Sequence, residues 1–317
     1  MLPYKFISES RVGELLEWAP VVDAVEHALK SVSTGCAFQS PRVKIVLPES
    51  NLLYSTPGYL KDDKYGALAS RVMTKFPSNR RLQPPRSALN ANISLMDEST
   101  GVVKAIIQGN ELTDWRTAAV SVAATKHLHK EKPKEILAII GAGIQGRIHA
   151  IAFQTCFKFR EVRIWNRTGK RAVDLARKLN HELKTDAFVS CETVSDCVKN
   201  ADVIVTAAMA KEMLVKHEMV KKGAHINAIS VNPSGTDLDE ETYRISKVFC
   251  DHWTGVEHEL QHIIAFGAKF VGQVGDVIAG SVQAPGAGET SIFQSLGMAV
   301  EDCALARLIY DLDQIVK

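Results

Sequence analysis

No stretch of this chain is apolar for long enough to cross a bilayer. Residues 1–10 lack a basic segment followed by an apolar run, so no secretory leader is read there. Blocks of like charge are missing as well. The 38 Lys and Arg residues are interspersed with 36 Asp and Glu, for a formal net charge of +2, which indicates neither a nucleic-acid nor a membrane surface as partner. Six cysteines, Cys36, Cys156, Cys191, Cys197, Cys250 and Cys303, stand apart without the close pairing of zinc or redox motifs. They are expected to be reduced and mostly buried thiols, which makes the cytoplasm the expected location. Internal repeats and low-complexity linkers are also lacking. These absences leave small-molecule chemistry in a water-soluble protein.

What the chain does have is length and apolar content. At 317 residues, 46% apolar and 23% charged, it can bury a large core, and two domains are expected. Val12, Leu15, Leu16, Val21, Val22, Val25 and Leu29 recur at helical spacing and predict a helix over 10–32, with Ser8 as its cap. Strand-like runs follow at 43–47, 68–76, 91–96 and 102–108, the last two joined by the hairpin signal Asp97-Glu98-Ser99-Thr100-Gly101. The first part therefore reads as β-rich.

From about Glu111 the grammar changes. An Ala-rich helix is expected over 117–129, and then strands at 135–140, 161–165, 187–190, 202–207, 225–229 and 247–251 alternate with helices at 146–157, 170–182, 193–200 and 212–220. That alternation is the pattern of a parallel sheet covered by helices. The segment 291–316 reads as one long amphipathic helix that returns to cover the first domain. The fold class expected is α/β: a Rossmann doubly wound parallel sheet plus a smaller β-rich α+β domain.

The run Gly141-Ala142-Gly143-Ile144-Gln145-Gly146 directly follows the apolar strand Ile136-Leu137-Ala138-Ile139-Ile140 and opens a helix. In that context the three glycines have distinct tasks. Gly141 allows the tight turn, Gly143 lets the backbone approach a pyrophosphate, and Gly146 permits close helix–strand packing, while the helix N-terminus offers unpaired N–H groups to the phosphates. The next strand ends Ile164-Trp165-Asn166-Arg167-Thr168, where an NAD-selective site usually places an acid on the ribose 2′-hydroxyl. No acid stands there. Asn166 and Thr168 offer hydrogen bonds and Arg167 a partner for a 2′-phosphate, so NADP(H) is favoured over NAD(H), with a surface role for Arg167 beside an NAD site as the alternative.

Several runs together resemble the ornithine cyclodeaminase and mu-crystallin family: Leu112-Thr113-Asp114-Trp115-Arg116-Thr117-Ala118-Ala119-Val120-Ser121, the glycine turn with Gln145, Trp165-Asn166-Arg167-Thr168, Gly223-Ala224-His225-Ile226-Asn227-Ala228, and Phe293-Gln294-Ser295-Leu296-Gly297-Met298-Ala299-Val300-Glu301-Asp302. The resemblance covers nearly the whole chain. It implies a homodimer in which 1–113 with 293–317 binds substrate and dimerises, beside a dinucleotide-binding domain at 114–292. It implies further that Arg42 and Arg116 lie near a substrate carboxylate, which a planar guanidinium holds bidentately. Thr117 and Ser295 would lie near the cofactor, and Ala208, Ile229 and Val231 would line its nicotinamide side. Salt bridges for the arginines and plain packing for the small residues are the alternatives.

Departures from the family pattern matter equally. Arg71 stands where the family usually has a substrate-contacting lysine; arginine stays charged and is a poor proton donor, though a good anion clamp. Lys75, four positions on, shares a face with Arg71 in a regular strand and is a candidate replacement ammonium. Asn232 occupies the place nearest the cyclodeaminases' catalytic aspartate and cannot act as that base. His262, in Gln261-His262 where the family has Gly-Asp, is a candidate proton carrier or an exposed helical histidine. The resemblance thus implies an NAD(P)H-dependent reductase of a carbon–nitrogen double bond. Two substrates stand open: a cyclic ketimine carboxylate, or the imine of a 2-oxo acid with an amino acid or taurine, as in the opine and tauropine dehydrogenases of the family. Three arginines favour the second, which carries two acidic groups. A hormone- or NADPH-binding protein without catalysis, or an amino-acid dehydrogenase, are the remaining alternatives.

Overall fold

The computed structural model describes residues 4–230 and 235–315. The chain divides into two compact units, 1–116 with 297–317 and 117–296. In chain order the first contains β1 (Lys5–Ile7), α1 (Glu9–Leu15), α2 (Trp18–Ser33), β2 (Ala37–Gln39), β3 (Val43–Val46), β4 (Leu52–Leu60), β5 (Ala67–Lys75), β6 (Leu89–Met96), β7 (Val103–Gln108) and the start of α3 (Asn110–Leu128). The second continues α3 and adds β8 (Ile136–Ile140), α4 (Ile144–Phe157), β9 (Glu161–Trp165), α5 (Gly169–Leu183), β10 (Phe188–Ser190), α6 (Val194–Val198), β11 (Val203–Thr206), β12 (His225–Ala228), α7 (Glu240–Ile245), β13 (Lys247–Cys250), α8 (Trp253–Glu259), α9 (Gln261–Ala265), β14 (Phe270–Gln273), α10 (Val274–Ala279) and β15 (Ser291–Gln294). The chain then returns to the first unit as α11 (Ala299–Ile315).

Among the described residues, the first unit is built on a sheet in the order β1-β7-β6-β5-β4-β2, with β3 also paired to β4. β1 runs parallel to β7 and the other pairings are antiparallel. One face is covered by α11, which packs on β4, β5 and β6. Gly58, in the middle of β4, makes that approach possible: a Cβ there would lie 3.0 Å from that of Ala299. The side-chain oxygen of Gln39 accepts the Ala299 N–H at 2.9 Å and so satisfies an open donor at the start of α11.

The second unit holds an all-parallel sheet in the order β10-β9-β8-β11-β12-β15-β13-β14. β11, β12 and β15 are buried along their whole length, as strands covered on both faces must be; their buried polar side chains are bonded, His225 Nδ1 to the Ser291 hydroxyl at 2.8 Å and the Asn227 amide to the Thr125 hydroxyl at 2.9 Å. Strand order reverses at β8, between β9 and β11, and the crevice at the carboxyl ends beside such a reversal is where dinucleotides bind in this architecture.

Three expectations are corrected. The single helix over 10–32 is two helices, α1 and α2, because Pro20 cannot donate to the Leu16 carbonyl; in the first turn of α2 its missing N–H costs nothing. Ser8 does cap α1, accepting the Arg11 N–H at 3.3 Å. The helix over 212–220 is reduced to a short turn at His217–Met219, since the Leu214 and Val215 N–H groups are spent on the Asp237 carbonyl. Finally, 291–316 is not one helix. Its first residues form β15, paired to β12 and β13, and Gly297, at φ +79°, turns the chain into α11. The return to the first unit therefore begins after Leu296 rather than at 293.

Candidate active site

The glycine loop has the geometry that its sequence requires. Gly141 sits at φ +119°, where a Cβ would approach the Ala207 carbonyl oxygen to 2.6 Å, and a Cβ on Gly146 would collide with the Gly141 carbonyl oxygen. Gly143 differs: a Cβ there meets nothing within 4 Å. Its lack of a side chain answers no demand of the fold and leaves open space in front of α4. α4 begins at Ile144 with Gly143 as its cap and no side-chain hydrogen bond, so its first N–H groups face that space as donors for an anion. These features fit the pyrophosphate of a dinucleotide.

α4 itself is pinned from behind by His149. This fully buried ring makes a 2.8 Å hydrogen bond from Nδ1 to the Gln145 carbonyl and a 3.0 Å bond between Nε2 and the Ser121 hydroxyl of α3. Nδ1 must be the donor, because a carbonyl only accepts. Desolvation pulls its pKa down to about 4, so the ring is neutral. His129, after the end of α3, is also lowered to about 4 by burial and bonds the Pro133 carbonyl at 2.9 Å.

Along the carboxyl edge of the sheet the expected cofactor residues follow one another. Asn166 succeeds β9, Gly141 β8, Ala208 β11, Ile229 β12 and Ser295 β15. Arg167 and Thr168 are exposed at the start of α5. The Asn166 side-chain oxygen accepts the Ala142 N–H at 3.1 Å and its amide donates to the Thr168 carbonyl at 3.1 Å, so it braces the glycine loop and keeps a second lone pair and a second N–H. Thr117 lies half-buried on α3. Val231 and Asn232 lie outside the described residues.

The first unit carries a buried ionic cluster. Arg71 on β5 and Arg116 on α3 are 4% and 7% exposed. Arg116 Nη1 meets Glu301 Oε2 at 2.7 Å and its Nε meets Asp302 Oδ1 at 3.3 Å, while Arg71 Nε meets Asp302 Oδ2 at 3.1 Å. Arg71 also donates to the Thr113 hydroxyl at 3.0 Å. Burial lowers the Arg71 pKa; Asp302 opposes that shift, and the charges of Arg116 and Arg42 add to it. Arg42, half-buried between β2 and β3, thus belongs to the same field. Gly297 is required here, since a Cβ would come within 2.5 Å of Arg116 Nη1. Trp115 stacks on Trp18 of α2 with ring centres 3.9 Å apart, which closes one side of the α3 start.

A family model described as ornithine cyclodeaminase/mu-crystallin matches residues 4–314. This chain belongs to that family. It is 37% identical over 313 residues to the ketimine reductase mu-crystallin of Mus musculus, with 96% of each protein covered. Among solved structures, it is similar to the Δ(1)-pyrroline-2-carboxylate reductase of Thermococcus litoralis in complex with NADH and L-proline, at a TM-score of 0.89, 27% identity and 98% coverage of both chains. It also resembles the iminosuccinate reductase of Paracoccus denitrificans in complex with NAD+, at a TM-score of 0.88, 27% identity and coverage of 98% of this chain and 97% of that one.

In this member of the ornithine cyclodeaminase/mu-crystallin family, the structure joins Arg71 and Arg116 in one cluster within the first unit. Lys75 ends β5 and is exposed, beyond the buried stretch that holds Arg71. His262 lies on α9 in the second unit, half-buried, with its ring edge-on to Phe266 at 6.2 Å. Sequence reasoning missed Glu301 and Asp302. Acids in the first turn of a helix read as partners of the helix dipole, yet these two are 0% and 2% exposed. The signal was their setting: both stand inside Met298-Ala299-Val300-Glu301-Asp302-Cys303-Ala304-Leu305, an apolar run with no base of its own. Asp237 was missed as well. At 1% exposure it accepts the Ala208 N–H at 3.1 Å, the Ala210 N–H at 2.9 Å and the Ser230 hydroxyl at 2.7 Å.

Proposed function

We propose that this chain is an NAD(P)H-dependent reductase of a carbon–nitrogen double bond in a small carboxylated imine, with a cyclic ketimine carboxylate as its substrate. The observation that carries this reading is the buried Arg71–Arg116 cluster, in a chain that also keeps an open glycine loop. A guanidinium pair held rigid by Glu301, Asp302 and Thr113 is a pre-formed anion clamp, and its rotamers are fixed before a ligand arrives. When bound, the reduced nicotinamide supplies the hydride. The chain's own residues have the remaining tasks: to hold the carboxylate, to orient the imine carbon and to keep water away.

Charge favours one of the two substrates. The charges of Arg71 and Arg116 are already offset by two buried carboxylates of the chain itself, so three arginines do not amount to three uncompensated positive charges. This favours a substrate with a single carboxylate over an imine that bears two acidic groups. A substrate of this kind enters protonated as the iminium and then needs no donor from the protein, which relieves Lys75 and His262 of that task. For the cofactor, exposed Arg167 at the ribose end favours NADPH over NADH. A second copy of the chain is the partner that fits the exposed apolar surface of β2 and β3, where Phe38, Val43, Ile45 and Val46 are 57%, 51%, 50% and 68% exposed.

Cofactor oxidation by the purified protein tests the reading, with five- and six-membered cyclic ketimine carboxylates beside pyruvate plus alanine, taurine or ammonia. Turnover highest with a cyclic ketimine is expected. Turnover confined to pyruvate plus an amino acid or taurine would make it an opine-type enzyme, and none with any pair would leave nucleotide binding without this catalysis.

A further inference from the structure

Asp237 does no chemistry that the reaction needs, yet it is buried among donors at the carboxyl edge of the sheet. Its two oxygens divide the work: Oδ1 accepts the Ala210 N–H, and Oδ2 accepts both the Ala208 N–H and the Ser230 hydroxyl. The Ser230 oxygen in turn accepts the Met209 N–H at 3.1 Å. Three successive N–H groups of the loop after β11 are thus fixed through one carboxylate and one hydroxyl. Met209 sits at φ +48°, a conformation that a side-chain-bearing residue rarely adopts without such support.

The loop so held stands directly against the cofactor turn. The Ala207 carbonyl and the Ala208 nitrogen are the backbone atoms that a Cβ on Gly141 would meet, at 2.6 and 3.0 Å. β11 is also the first strand past the reversal of strand order, on the side away from β9 and β10. In a doubly wound sheet the two mononucleotide halves of a dinucleotide lie on either side of that reversal. With the adenosine half assigned to β8, β9 and the exposed Arg167, the loop after β11 belongs to the nicotinamide half.

We infer that Asp237, with Ser230, is a positioning residue that sets the pose of the nicotinamide ring through the backbone of residues 207–210. The inference rests on the proposed dinucleotide site and adds to it a residue that touches neither substrate nor cofactor. The chemistry demands an acid at this position. In Asp237→Asn one of the two oxygens becomes an NH2 donor, and whichever oxygen is replaced, it then faces a backbone N–H.

The experiment compares two ligands by calorimetry: NADP+, and ADP-ribose 2′-phosphate, which lacks the nicotinamide ring. Asp237→Asn is expected to weaken NADP+ by about tenfold or more, the size of a lost hydrogen bond to a charged acceptor, while ADP-ribose 2′-phosphate binds as it does to wild type. Ser230→Ala is expected to show the same selectivity in milder form, and it keeps the test valid if Asp237→Asn does not fold. Asp237→Glu, which retains two acceptor oxygens, is expected to restore part of the NADP+ affinity. Equal weakening of both ligands, or a loss of thermal stability with the ratio of affinities unchanged, would overturn the inference and leave Asp237 a structural residue. A wild-type protein that binds neither these ligands nor NAD+ and ADP-ribose, the pair without the 2′-phosphate, would overturn the dinucleotide site itself, and this inference with it.

Discussion

Replacing Arg116 by alanine removes the cation that Glu301 meets at 2.7 Å and Asp302 at 3.3 Å. Asp302 keeps Arg71 at 3.1 Å, so the damage centres on Glu301, which is 0% exposed. Removing one partner of a buried pair costs about 3–5 kcal/mol of stability, most of it the penalty of the charge left behind. Substituting both partners, Arg116→Met with Glu301→Gln, removes both charges at similar volume and is expected to recover most of that loss. Substrate use is expected to recover in neither variant. A charge-assisted bond to the substrate carboxylate contributes about 1.5–3 kcal/mol, which is a ten- to hundredfold rise in KM with a smaller change in kcat. NADPH affinity is expected to hold, because the glycine loop is unaltered. Urea unfolding of wild type, single and double variants gives the first quantity, and steady-state kinetics with a cyclic ketimine carboxylate gives the second. A single variant as stable as wild type would refute the dependence of Glu301 on Arg116. A double variant that regained its KM together with its stability would show that Arg116 is a strut and not a clamp.

Three further outcomes are expected. Arg167→Asp should move the ratio of kcat/KM values from NADPH towards NADH, since it replaces a 2′-phosphate partner by an acceptor for a ribose hydroxyl; an unchanged ratio would make Arg167 a surface charge. Gly143→Ala should leave the stability of the cofactor-free protein as it is and weaken dinucleotide binding, whereas Gly146→Ala should lower the stability itself, because its Cβ has no room against Gly141; equal melting temperatures for the two variants without cofactor would contradict this. His149 and His129 titrate near 4 in the folded protein against about 6.5 when unfolded, so stability is full above pH 6.5 and falls as the pH drops towards 4. For His149 alone the loss amounts to roughly 3 kcal/mol, and a urea midpoint that stayed flat between pH 7 and 4 would exclude it.

Strands β8 to β13 of the parallel sheet were legible, β8 and β11 most plainly because burial on both faces forces apolar, β-branched runs, whereas β14 was not read from the sequence. β4 was not read from the sequence: it carries Pro57, which pairs opposite Ser70, and Gly58, which admits α11, two residue types that strands disfavour. β15 was hidden inside an apparent helix because Ile292 falls at helical spacing from Leu296, although Gly297, at φ +79°, breaks the run between them and α11. The glycine loop could be read position by position, since Gly141 and Gly146 answer local demands of the backbone and Gly143 keeps space open for a ligand. The arginines could be read as candidates, and the acids Glu301 and Asp302 as buried by their apolar setting, but not that they pair, because ion pairs between residues 185 positions apart leave no periodic trace. The same limit hid Asp237, whose partners are backbone N–H groups that every sequence possesses.

The late arrival of β15 also bears on how the molecule assembles. Residues 291–294 are the last of the parallel sheet in sequence, yet they fill a place inside it, with β12 on one side and β13 on the other. β13 and β14 therefore join the rest of that sheet through a segment made after them, and α11, made later still, covers the sheet of the first unit. Such long-range closure is slow, and partly closed sheets expose unpaired strand edges. A chain cut anywhere before residue 291 would leave an open gap in one sheet and a bare face on the other, so premature termination near the end should yield aggregates rather than one folded half.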